Sequence, residues 1–95
     1  NTPGNGEGTK NLNRKVTDFG GITAKADEEG KIALDIWVDE KGAVVRTKFK
    51  ASKSTSPSEN LIKLATKWAH TMEYEKLLGA PTQYVGYQIF TFKNQ

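Results

Sequence analysis

Ninety-five residues with mixed charge allow one domain. Once a polar N-terminal stretch is set aside, the folding unit of roughly 80 residues is near the size at which burial barely outweighs chain entropy. Cysteine is absent, which excludes disulfides and thiolate metal sites without fixing the compartment. The formal charge of +3 comes from 14 basic and 11 acidic side chains, and no stretch has the apolar length of a membrane span or the pattern of a signal peptide.

Residues 1–11 hold Pro3, Gly4, Gly6 and Gly8 among small polar side chains and read as a flexible linker, leaving 12–95 as the domain. The chain opens on Asn1 rather than Met, so a processed or excised piece is the expectation. Leu12, Val16 and Phe19 punctuate residues 12–21, which predicts a short strand or an extended segment laid on the domain. Gly20 and Gly21 end it, and Asp27-Glu28-Glu29-Gly30 is a turn ahead of the first firm strand.

From residue 31 to 39 the alternation is clean. Ile32, Leu34, Ile36 and Val38 point one way, and Lys31, Ala33, Asp35, Trp37 and Asp39 the other, as in a sheet with one dry and one wet face. Asp39-Glu40-Lys41-Gly42 supplies a hairpin turn, with Gly42 free to take a positive φ. Residues 44–50 form the returning strand, with a bulge expected between the turn and Phe49 because Val44 and Val45 are adjacent. Residues 51–57 form a loop. A helix then starts from Ser56 with Pro57 and Glu59, or from Ser58. Its stripe of Leu61, Leu64, Ala65, Trp68 and Met72, widened by Ile62 and Ala69, is suited to covering a sheet. Residues 73–81 end the helix and cross back, and 84–92 are the last strand, with Phe90 and Phe92 on one side and Val85, Tyr87 and Ile89 on the other. The fold class is α+β: a small antiparallel sheet of about three strands, built as hairpin, helix and strand, with the helix on one face.

Catalytic chemistry finds few components. His70, the only histidine, stands near the helix end, where a solvent-facing ring aided by the helix dipole is the ordinary explanation. Asp35 and Asp39 share a strand face beside Lys31 and Lys41, which reads as surface charge. Asp27-Glu28-Glu29-Gly30 lacks the length and ligand spacing of a calcium loop, and Gly4, Gly6 and Gly8 do not lie between a strand and a helix. No catalytic residue, metal site or cofactor is assigned. Arg46, Lys48 and Lys50 share one strand face and, with Lys53, form a basic stripe; Arg14 and Lys15 are a second small basic group. Nucleic acid is disfavoured as the partner because no aromatic-lined surface is clearly interleaved with the stripe. Trp37 falls on the wet face, where a large aromatic needs cover from the chain or from a partner.

The run Gly30-Lys-Ile-Ala-Leu-Asp-Ile-Trp-Val-Asp-Glu-Lys-Gly-Ala-Val-Val-Arg, followed by the loop and helix to Met72-Glu-Tyr-Glu, the Gly79-Ala80-Pro81 crossing and Gly86 to Phe92, resembles the C-terminal domain of the TonB energy-transducer family over residues 12–93. The glycine-rich run-in resembles that of Bacteroidetes-type members. Tyr74-Glu75-Lys76 departs from the family's aromatic-x-Pro, and Gln88 stands where the last strand is usually apolar. The resemblance implies a non-enzymatic periplasmic domain at the end of a protein anchored in the inner membrane, coupled to a proton-motive motor of ExbB/ExbD type through parts absent from this chain. The implied partner is the N-terminal segment of outer-membrane TonB-dependent receptors, added as a strand to an open sheet edge. The last strand, Tyr84, Val85, Gly86, Tyr87, Gln88, Ile89, Phe90, Thr91 and Phe92, is the expected docking edge, with Arg46, Lys48 and Lys50 as a face for an acidic partner and a homodimer as a further use of the edge. The alternative is a structural or oligomerisation module of the same fold fused to a membrane sensor or peptidase.

Overall fold

A computed structural model describes residues 14–22 and 27–93. The elements are β1 (Val16–Asp18), β2 (Gly30–Val38), β3 (Val44–Phe49), a single 3-10 turn (Ala51–Lys53), α1 (Glu59–Ala69), β4 (Glu73–Tyr74) and β5 (Gln83–Phe92). They form a small α+β domain with one α-helix among the described residues and two antiparallel sheets: a three-stranded sheet ordered β3-β2-β5 and a two-stranded ladder of β1 with β4. The predicted hairpin, helix and strand are therefore present in that order. The expected 1–11 linker lies outside the described residues, and no helix among the described residues is long and apolar enough to cross a membrane.

Alternation in β2 sets the layers. Ile32, Leu34, Ile36 and Val38 are all buried and meet Leu61, Ala65, Trp68 and Ala69 of α1, and Met72 just beyond its end, in one core. Trp68 lies against Phe90 and Phe92, with ring centroids at 5.4 and 5.8 Å. Leu64 and Ile62 are only partly buried at the margin. The helix starts at the second of the two expected caps: Ser58 Oγ accepts from the Leu61 amide at 3.4 Å and donates to Glu28 at 2.9 Å. Its hydroxyl is thus shared between an orphan helix donor and an acid from the preceding turn.

The hairpin turn is held by Asp39, whose Oδ1 accepts from the amides of Lys41 at 2.9 Å and Ala43 at 3.0 Å. Gly42 takes φ +85°, and a Cβ there would run into the Tyr74 carbonyl. The expected bulge follows, with Val45 as the extra residue between the pairs Trp37–Arg46 and Val38–Val44.

Two expectations are corrected. The helix stops at Ala69 rather than carrying its stripe to Met72. Val85 does not share the outer face with Tyr87 and Ile89: it is the extra residue of a second bulge, between Ile36–Gly86 and Trp37–Tyr84, and is buried in the core. Gly86, at φ +114°, makes that shift sterically accessible. Within the crossing at 73–81, Glu73–Tyr74 pairs with β1 and bridges to Ala43. Arg14, one of the second small basic group, is 1% exposed.

A candidate docking edge

Among the described residues β5 pairs with β2 alone and forms one rim of the main sheet. Which of its groups are free follows from β2. The Lys31 amide donates to Thr55 Oγ1 at 2.8 Å, the Ala33 carbonyl accepts from the Lys50 amide at 2.9 Å, and the Ala33 amide donates to Ser54 Oγ at 2.8 Å. Lys31 and Ala33 thus turn their main-chain groups towards the β3 side. Alternation then turns those of Gly30, Ile32, Leu34 and Ile36 towards β5. Their register partners are Phe92, Phe90, Gln88 and Gly86, so these four are committed to the ladder. Tyr87, Ile89 and Thr91 point their main-chain groups outward from it. The Ile89 carbonyl receives a long contact of 3.4 Å from the Gln88 side-chain amide.

The nine residues expected to form the edge therefore divide into three sets. Tyr87, Ile89 and Thr91 present donors and acceptors; Gly86, Gln88, Phe90 and Phe92 hold the strand to β2; Tyr84 and Val85 lie before or at the bulge. Gln88 is buried in the layer beneath the sheet, where the sequence pattern expects an apolar residue.

The two rims differ chemically. β5 runs ten residues without a charge or a proline. β3 runs six, carries Arg46 and Lys48, and is bent by the bulge at Val45. Charge and bulging are the means by which edges resist unwanted pairing. β3 has both, whereas β5 is interrupted only near Gly86 and is regular beyond it.

On the outer face Arg46, Lys48 and Lys50 do form a stripe, along β3. The Arg46 guanidinium lies 4.7 Å from the centre of the Trp37 ring, and Tyr84 lies against the same indole at 5.3 Å. Trp37 is thus covered from within the chain. Tyr84 donates to Asp35 Oδ1 at 2.8 Å, and Lys50 Nζ stands 3.8 Å from that oxygen and 5.7 Å from the Tyr87 ring. Desolvation first, then the hydrogen bond to and charge of Asp35, push the Tyr84 hydroxyl up to about 12. The aromatics missing from the sequence reading are present beside the stripe, but Trp37 is already flanked and offers a poor stacking platform for a base.

His70 caps the helix C-terminus with its ring Nδ1 3.0 Å from the Val44 carbonyl, an exposed linking role. Among the described residues no group of three His, Cys, Asp or Glu side chains could hold a metal ion. Comparisons with protein-family models, curated proteins and solved structures find no match for this chain.

Proposed function

We propose that this domain is a docking module that captures an extended peptide by adding it as a strand to β5, and that it serves as the periplasmic receptor-binding domain of a TonB-type energy transducer. The observation that carries the reading is the contrast between the rims: an uncharged ten-residue strand that, among the described residues, is paired on one side only, opposite a short, basic, bulged one. Outward groups at Tyr87, Ile89 and Thr91 suit a guest segment of about five residues at the usual strand rise. The family resemblance supplies the rest, namely an inner-membrane anchor and motor upstream, and an outer-membrane receptor whose N-terminal segment is the guest. Catalysis has no part in this role.

Parallel loading of several main-chain hydrogen bonds suits such an interface to bearing force. The test is titration of isotope-labelled domain with a receptor N-terminal peptide, read by backbone amide shifts. Shifts centred on residues 87–91 are expected; changes confined to α1 with β5 silent would reject the edge. A second copy of the chain is the competing guest, and a concentration series of hydrogen exchange over 84–92 separates the two.

A further inference from the structure

We infer that residues 14–22 form a release strap, docked across the end of the domain but destabilised in place by its own anchor, Arg14. Several contacts hold the strap. Val16 and Asp18 pair with Tyr74 and Glu73 in an irregular register. The Glu75 amide donates to the Lys15 carbonyl at 2.9 Å, the Lys15 amide to Glu75 Oε1 at 3.1 Å, and the Gly21 amide to Thr71 Oγ1 at 2.9 Å. Apart from the partly buried Val16 and Ile22, which pack on the core, these are exposed polar contacts that exchange with water at small net gain.

Arg14 opposes them. Its Nη1 donates to the Asp39 carbonyl at 3.1 Å and the Glu75 carbonyl at 3.0 Å, while Nε and Nη2 are buried without an acceptor. The carboxylates of those same two residues are turned elsewhere, Asp39 Oδ1 to the Lys41 and Ala43 amides and Glu75 Oε1 to the Lys15 amide. A guanidinium has five N–H donors and keeps its charge at any ordinary pH, so this one is a buried cation whose partners among the described residues are carbonyls only. Removing such a group from water without an opposing charge is costly, and undocking restores its hydration.

Undocking is also local. β4 keeps its bridge to Ala43 and the bond from the Tyr74 amide to the Gly42 carbonyl at 2.9 Å, and none of β2, β3, β5 or α1 depends on β1 for pairing. Its use rests on the function proposed above: tension arriving from the N-terminal side meets Arg14 before it meets the main sheet, so the tether lengthens while the docking edge stays folded. The metastability itself does not depend on that reading.

Hydrogen exchange on the full chain, with no peptide present, tests the strap. Replacing the cation by an apolar side chain of similar length, Arg14→Met, is expected to slow exchange at Lys15, Gly21 and Glu75 by about threefold or more, with Arg14→Lys close to the parent. Unchanged or faster exchange in Arg14→Met would overturn the inference and make Arg14 a plain clamp. Pulling the unaltered chain between its termini is the second measurement. A separate low-force step is expected before the main unfolding event, its size the extended length of the released chain, about 30 Å for the strap itself, less the span it already covers when docked; a single event without it also overturns the strap. Neither result depends on whether a guest strand binds β5.

Discussion

The indole of Trp68 meets the ring of Phe90 at 5.4 Å, with planes inclined at 49°, so the helix grips the inner side of the strand that, among the described residues, pairs with β2 alone. This contact connects the core to the outer strand of the main sheet, because Phe90 is also one of the residues that hold β5 to β2. Trp68→Ala is expected to cost about 3–5 kcal/mol, most of the stability of a domain this small. Trp68→Phe should cost less than half as much, since the buried indole N–H has no acceptor and its removal offsets part of the lost volume. Denaturant midpoints at constant slope measure both.

Gly42 joins the hairpin turn to β4. An alanine there meets both the positive φ and the Tyr74 carbonyl, so Gly42→Ala is expected to destabilise by about 2 kcal/mol or more. Loss of the amide signal pattern at Tyr74 should accompany the drop in melting temperature.

Burial raises the Tyr74 hydroxyl from 10.0 to about 12. The folded state therefore keeps its proton where the unfolded chain loses it. The contribution is fully present below pH 10 and is lost as pH rises through about 12. Up to roughly 2–3 kcal/mol is at stake. Tyr74→Phe should flatten the fall in stability over this alkaline window, as followed by denaturation at fixed pH steps.

Thr91 turns its amide away from β2, so proline there removes a donor that the native ladder does not use. Thr91→Pro is expected to keep the fold, at a cost of about 1 kcal/mol, while weakening guest-strand binding by about tenfold or more. Phe90→Pro, which breaks a ladder bond, should instead unfold the sheet edge. Calorimetric titration beside thermal melts separates the two effects.

Lys48 lies on β3, two strand spacings or about 10 Å from β5. A guest paired to β5 would lie beyond easy reach of its charge at ordinary ionic strength. Lys48→Glu should change docking less than about twofold, whereas Lys50, whose ammonium reaches the Tyr87 ring, is better placed to act on a guest. Titrations of the two variants at low and physiological salt measure the difference.

Short-range pattern determined a good deal by itself. Alternation from Ile32 to Val38, the Asp39–Gly42 turn and the helical stripe around Trp68 each depend on neighbours within one or two turns of chain, and each is found, although Ala33 on the outer face is buried too and the helix ends before Met72. The order of hairpin, helix and strand required the last strand to return to the first sheet, which put β5 beside β2. Only the tertiary structure decided the side on which Val85 lies, because one extra residue inverts the alternation on either side of it. It likewise decided that Arg14 is buried and that Tyr74 is a strand partner, since both depend on contacts with chain many residues away, where no local period carries a signal. The division of β5 into committed and outward groups belongs to the same class: a strand's composition shows which side chains are apolar, but only a partner in register fixes the direction of its amides.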